Sequence, residues 1–436
     1  MRFSSALLAV VAACGLLPAT AATAATLHTD IQQRAAQVEP KVIAWRHDIH
    51  QHPELGNREF RTAALVAEQL RSLKFDEVRT GVAHTGVVGV LKGGLPGPVV
   101  ALRADMDALP VTEPAGLPFA STVRTEFGGQ QVGVMHACGH DAHTAMLMGV
   151  AEVLAGMRAK LHGTVVFLFQ PAEEGPPLGE EGGAAMMVKE GVLDRPPVAA
   201  VFGLHVMPRT SGTLAYRHGG AMAGARMFRI KVKGQQTHGA MPWAGKDPVI
   251  TAAQIVTALQ FIPSRQVDLT KGPALISVGS VHGGIRSNII PDEVVLEGTI
   301  RSLDPAQMVD MAQRLERTAT NIAAASGLTA EVQVYGGAPV TFNDPALVDR
   351  MLPSLRRPEV GATAVKEAVP GLVAEDFAVY QEKVPGFFFF LGVNPPGLSE
   401  ADAAANHSPL FKVDDAALKV GVAALATVAV DYLGAK

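Results

Sequence analysis

Only two cysteines occur in the 436 residues, and the first, Cys14, falls in a stretch that reads as an export leader. Arg2 supplies a positive start, residues 6–17 form a short apolar run, and the small residues of 19–26 offer A-x-A-like cleavage sites near Ala24 and Ala25. The run is too short to span a bilayer. Val11-Ala12-Ala13-Cys14 also fits a lipoprotein box, but the apolar, uncharged residues continuing past Cys14 argue against that processing. Loss of a leader covering 1–25 would leave Cys138 alone, which excludes an intramolecular disulfide. A solitary exported thiol needs protection, and metal coordination supplies it.

Charge is scarce as well. Charged residues make up 18% of the chain against 48% hydrophobic, the mark of a well-packed protein, and the length favours two domains. The net charge of −4 leaves no basic footprint, so nucleic acid is excluded as a natural partner. There is no HExxH, no G-x-S-x-G, no Walker loop and no Rossmann glycine set. Those absences exclude the common zinc protease, serine hydrolase and nucleotide-binding signatures.

What is present centres on Met135-His136-Ala137-Cys138-Gly139-His140-Asp141-Ala142-His143. In an extended segment, residues two apart point the same way, so Cys138 and His140 would share a face. A thiolate and an imidazole aimed at one point suit a borderline-soft divalent metal.

Around this stretch, apolar strands at 86–91, 99–103, 163–169 and 198–202 alternate with helices at 27–52, 61–73 and 142–157. That predicts an α/β fold, a central sheet with helices on both faces. Ligands in such sheets bind beyond the carboxyl ends of strands, where Asp105, Asp107, Glu173, Glu174 and His205 fall. His47, His50 and His52 on the first helix read as capping and packing residues.

From Gly219-Gly220 the texture changes. A half-wet strand at 226–233, helices opened by Asp247-Pro248 and Asp304-Pro305, and strands at 274–281, 293–301 and 329–335 give the ferredoxin-like order β-α-β-β-α-β. Gly336-Gly337 closes it. The expected division is a leader at 1–25, a catalytic α/β domain at 26–218 and 338–436, and an inserted lid at 219–337. Glycine pairs at both crossings suggest a hinge. The lid's open strand edges could pair with a second copy as a homodimer.

Cys138, His140, Glu174, His205 and His407 are too many ligands for one ion with an open position. They suggest two divalent ions bridged by the Cys138 sulfur, about 3.5–4 Å apart and activating a water. Glu173 and Glu174, adjacent in an extended segment, would face opposite ways, one ligating and one free as general base. Asp105 and Asp107 would orient the histidine ligands. His136 and His143 read as packing or supporting residues.

The motifs RADMDALP, MHACGHDAH, FQPAEEG, GLHV, KGQQTHGAMPW, RSNIIPDEV, EDFAVY and NHSP together resemble the aminoacylase and carboxypeptidase-G-like metallopeptidases. Within that family the chain looks like the amidohydrolases that include hippurate hydrolase, N-acyl-amino-acid amidohydrolase and plant indoleacetyl-amino-acid hydrolases. The resemblance spans nearly the whole mature chain. It implies Glu173 as general base and Glu174, Cys138, His140, His205 and His407 as ligands of two ions (zinc, manganese, cobalt or nickel). It further implies His238 polarising the scissile carbonyl, on closure or from a partner subunit, and Asn288 contacting the substrate. Trp243 departs from the histidine common in that family and bears on acyl preference. The expected function is hydrolysis of N-acyl or N-aroyl amino acids. The alternatives are a dipeptidase or carboxypeptidase on the same centre, and a metal-loaded binding protein without turnover.

Overall fold

Every strand of the central sheet from 86 to 105 and from 162 to 210 is an apolar run, and these runs can be buried only where both sides of the sheet are covered. In the computed structural model, which describes residues 19–434, they lie inside an eight-stranded mixed sheet. Arg2, the run 6–17 and Cys14 are outside the described residues. The sheet order is Glu77–Val82, Gly86–Lys92, His162–Gln170, Leu95–Asp105, Ala200–Thr210, Gly386–Asn394, Thr213–Tyr216, Ala364–Glu367. The middle four strands run parallel, so their carboxyl ends open on one side of the molecule. Two antiparallel additions, the 77–92 hairpin and 213–216, extend the sheet beyond them.

The two faces are covered unequally. Val100, Leu102, Phe167 and Phe202 pack under the long helices Ala19–Gln51, Phe60–Ser72, His140–Gly156 and Leu418–Gly434. Ala101, Val166, Leu168 and Val201 meet only the short helices Gly183–Lys189 and Ala378–Gln381, with Phe377 and Tyr380. The four consecutive phenylalanines of Gly386–Asn394 divide by alternation: Phe387 and Phe389 join the first core, Phe388 and Phe390 the second. Each buried ring contributes about 2–3 kcal/mol. The stretch Asp415–Gly434 is long and apolar enough to cross a bilayer, but 78% of its most apolar window is buried in the protein, which makes it a core helix.

Between these elements the chain builds a second, four-stranded antiparallel sheet in the order Ala274–His282, Glu293–Ser302, Gly224–Lys233, Thr329–Tyr335. Helices Pro248–Leu259 and Pro305–Ala325 cover one face, which is the ferredoxin-like topology. Their starts are set by Asp247, accepting from Val249 and Ile250 N–H, and Asp304, accepting from Gln307 N–H. Phe228, Ile230, Val232, Leu296, Met311 and Leu315 form its own core.

The glycine pairs at the crossings do not sit in open, swivelling chain. Gly219–Met222 pairs antiparallel with Thr341–Asn343. A Cβ on Gly220 would lie 2.1 Å from Leu303 O, and one on Gly337 2.0 Å from Ala225 O. At these two positions glycine admits a neighbouring backbone, a need the sequence cannot display. Asn343 fastens the crossing: fully buried, its Nδ2 donates to Arg217 O and Phe388 O while its Oδ1 accepts from Phe388 N–H and Gln381 Nε2. Asn343→Ala would strand these buried groups and is expected to lower unfolding free energy by about 2–4 kcal/mol in urea titrations. Asn343→Asp should be no better, because a carboxylate cannot donate to two carbonyls. An unfolding midpoint unchanged in both variants would contradict the assignment.

Candidate metal centre

The turn into helix His140–Gly156 is what brings the central stretch together. Gly139 takes φ +94°, and a Cβ there would stand 2.3 Å from Val206 Cγ2, so only glycine fits. Cys138 and His140 are therefore not two residues of one extended segment, as the spacing suggests. They converge because the chain reverses at Gly139 and starts a helix.

Five side chains meet there in two overlapping groups. Ligand atoms of Cys138, His140 and His205 lie within 4.8 Å of one another, and so do those of Cys138, Glu174 and His407. The thiol belongs to both. His140 Nδ1 donates to Asp107 O at 2.8 Å and His205 Nδ1 to Val206 O at 2.7 Å. Carbonyls only accept, so each ring keeps its Nε2 lone pair free. His140 Nε2 is buried without a hydrogen-bond partner, and His205 Nε2 stands 3.4 Å from Cys138 Sγ. Glu174 Oε1 is also buried and unbonded, although His407 Nε2 is only 3.0 Å away. Unpaired lone pairs facing a buried thiol are poor packing on their own and a good fit to divalent cations.

The electrostatics agree. Burial opposes charge on His140, yet Asp105 and Cys138 beside it raise its pKa well above the ordinary value, so without a cation Nε2 would take up a proton, which a bound metal ion would displace. Burial pushes the Cys138 thiol up to about 12, and a bound cation would reverse that.

The supporting shell is dense. Asp107 reaches both sides, its Oδ1 3.2 Å from His140 Nδ1 and its Oδ2 accepting Glu174 N–H at 2.9 Å. Asp105 takes a different task from the one expected. Its Oδ1 accepts from His143 Nδ1 at 2.6 Å, and His143 Nε2 accepts Val206 N–H at 2.8 Å. Both His143 nitrogens are thus used, which leaves none for a metal. Asn406 Nδ2 donates to Cys138 O, and the His407 backbone, at φ +71°, donates to Ala137 O.

Glu173 and Glu174 occupy the middle of a tight turn, with Gly175 N–H reaching Ala172 O at 3.3 Å, rather than an extended segment. They consequently do not face opposite ways, since one oxygen of each lies within 4.8 Å of a His140 nitrogen. Glu173 is absent from both Cys138 groups. Its Oε1 accepts Asp376 N–H at 3.3 Å and its Oε2 is 3.8 Å from His140 Nε2. Burial, then Glu375, Asp376 and Glu174, hold its pKa well above the carboxylate range.

Sequence reasoning missed the group behind it. Arg103, fully buried, donates to Asp105, Glu375, Asp376 and Gln170. Gln170 Nε2 in turn donates to Asp376, whose carboxyl is pushed up to about 7, first by burial and, against Arg103, by Glu375. An arginine at the end of an apolar strand and the adjacent acids of EDFAVY, Glu375 and Asp376, were the available signals. His50 also exceeds its packing role: it bonds Asp141 and Glu113, and although burial opposes charge, Asp141 leads in raising its pKa to about 9. His136 is buried with neither nitrogen bonded, and burial lowers its pKa to about 3.

His238 and Asn288 stand together but apart from this cluster. Residues 237–238 pair with 289–290, and Gly239 N–H donates to Asn288 O. Both side chains are exposed, and no contact among the described residues joins either to the ligand groups. Trp243, in the short helical turn Pro242–Ala244 beside them, is 80% exposed, too open to be a core residue.

Residues 101–431 match the family described as Peptidase family M20/M25/M40. Thermostable carboxypeptidase 2 of Saccharolobus solfataricus is 40% identical over 399 residues, 91% of this chain and 96% of its own. N-acetyl-L-cysteine deacetylase of Bacillus subtilis is 37% identical over 382 residues, 87% of this chain and 85% of its own. The crystal structure of the Bacillus subtilis YXEP protein, a dinuclear metal binding peptidase from the M20 family, is similar at TM-score 0.76 and 35% identity, covering 91% of this chain and 99% of that one. A match over three quarters of the sequence, on a fold and ligand set of this kind, means that the chain belongs to the M20/M25/M40 peptidase family.

Proposed function

We propose that this protein is an exported hydrolase that cleaves the amide bond of N-acyl or N-aroyl amino acids, with Glu173 as general base. The observation that carries the reading is a thiol shared by two ligand groups, with a buried carboxylate beside them that belongs to neither. Two divalent ions (zinc, manganese, cobalt or nickel) held by Cys138, His140 and His205 and by Cys138, Glu174 and His407 would supply the Lewis acidity that makes water acidic near neutral pH.

The residues divide the remaining work. Asp376 N–H fixes Glu173 Oε1, and Oε2 is left towards the cluster to take a proton from the attacking water. As the C–O bond forms and the C–N bond breaks, Glu173 returns that proton to the departing amine. His238 would donate to the carbonyl oxygen and Asn288 would hold the substrate. Both need the second sheet to approach, or a second copy to supply them across the open edges 274–282 and 329–335. The similarity to a carboxypeptidase supports a second reading, peptide substrates on the same centre. N-acetyl-methionine, hippurate and dipeptides assayed side by side separate the two.

Glu173→Gln is expected to lower kcat about 10²–10⁴-fold while the bound metal is retained. Equal behaviour of mutant and wild type, both loaded, would favour a binding protein without turnover. Cys138→Ala should weaken both ions, whereas His205→Ala and His407→Ala should each weaken one, by more than the roughly 10–100-fold typical of losing a ligand's supporting partner. Elemental analysis after dialysis checks the stoichiometry, and a single ion in wild type would refute the shared-thiol site. The base works ionised, and the neighbouring Glu375 and Asp376 oppose that charge, so kcat/KM should fall as pH drops through an acid limb that those two acids shift upward. Asp376→Asn removes a neighbouring negative charge and should move that limb to lower pH. The same limb in both proteins would contradict the role of these acids.

A further inference from the structure

The loop between the first two helices, which none of the chemistry above uses, is packed directly beneath the turn that carries Glu173 and Glu174. A Cβ on Gly56 would stand 2.8 Å from Gly175 O and 3.1 Å from Ala172 Cβ, so the two backbones touch there. Leu55 bridges to Ala108, and Ala108 N–H donates to Glu54 O, which ties the same loop to the Asp105–Asp107 segment. At the loop's end Glu59 is 0% exposed, unusual for a carboxyl that pairs with no cationic side chain among the described residues. Its Oε1 accepts Ala172 N–H at 2.9 Å across 113 residues of sequence, and its Oε2 accepts the Thr85 hydroxyl at 2.5 Å.

Ala172 needs such an anchor. It adopts φ +50°, the left-handed region that costs an L-residue about 1–2 kcal/mol, immediately before the two glutamates. With this residue in the ordinary right-handed or extended region, the chain would leave Pro171 in another direction. Glu174 would then not meet Cys138 and His407, nor Glu173 meet Asp376 N–H. The strain persists only where surrounding contacts over-determine it.

We infer that Glu59 is a positioning residue: its buried carboxyl group clamps Ala172 in the left-handed conformation, and so sets Glu174 as a ligand of one ion and Glu173 beside it. The role rests on the metal-centre reading given above, and it concerns one of the two ligand groups. Cys138, His140 and His205 are held by other elements, namely the Gly139 turn, Asp107 and Val206. Glutamine can satisfy the same two partners, its oxygen accepting Ala172 N–H and its amide donating to the Thr85 oxygen.

The test uses the full-length protein and Co²⁺ alone, titrated into metal-free Glu59→Ala, Glu59→Gln and wild type and followed by visible absorption. Wild type should fill two sites. Glu59→Ala should keep one and weaken the other about 10–100-fold, with kcat reduced to a similar degree and KM within about twofold. Glu59→Gln should restore both sites and most of kcat. Should Glu59→Ala fail to fold, Thr85→Val removes one side of the clamp and should show the same selective loss in smaller measure. Two undisturbed Co²⁺ sites and normal kcat in a folded Glu59→Ala, with only a lowered urea midpoint, would overturn the inference and leave Glu59 a structural brace. Loss of both sites together would overturn it as well. If wild type binds two ions but hydrolyses no N-acyl amino acid, the substrate reading fails while the titration still decides the role of Glu59.

Discussion

An excess of buried negative charge at the carboxyl ends of four parallel strands governs this molecule. Asp105, Asp107, Glu173, Glu174, Glu375 and Asp376 lie within a few side chains of one another, with a thiol among them. Arg103 is the guanidinium that reaches into the group, and of these acids it pairs with Asp105, Glu375 and Asp376. Burying carboxylates without compensation is prohibitive in a low-dielectric interior. The half of the cluster that Arg103 does not touch holds the unbonded lone pairs of His140 and Glu174. One half therefore gains partial compensation from a guanidinium, and the other presents lone pairs suited to cations.

That division explains how two adjacent glutamates acquire different characters. Glu174 faces the half with the thiol and His407, where positive charge is wanted, and its pKa is lowered although burial works against it, with His407 foremost among the causes. Glu173 faces Glu375 and Asp376, and burial together with those acids raises its own. Pairs of titratable groups pushed apart by their surroundings are how a site assigns acid and base roles. Here the separation comes from a turn in a strained conformation rather than from the alternation of a strand.

The unequal cover of the central sheet serves the same end. Four long helices insulate one face and supply the rigid base. On the other face only short helices stand near residues 183–189 and 378–381, and there Asp376 reaches Ala184 N–H and Gln170. The second sheet, with its own core, keeps His238 and Asn288 on an exposed two-stranded pair. Cys138, His140 and His205 are thus buried in the first domain, whereas His407, His238 and Asn288 are exposed.

The long apolar strands, the main helices and the identity of the five ligand candidates were legible in the chain because they depend on local pattern, whereas the sheet strands 77–82, 213–216 and 364–367 were not. Apolar runs, Asp-Pro helix starts and a Cys and His next to a glycine are features of neighbouring residues, and the matching motifs extend them to His205 and His407. Tertiary structure alone decided which side chains share an atom's neighbourhood. It put Gly139 and Ala172 in left-handed conformations, drew Asp105 to His143 instead of a ligand, used the crossing glycines for close backbone contact, and placed Glu59 under a turn 113 residues away. Each of these is set by a partner distant in sequence, and hydrogen-bond geometry and burial, unlike periodicity, leave no local trace of that partner.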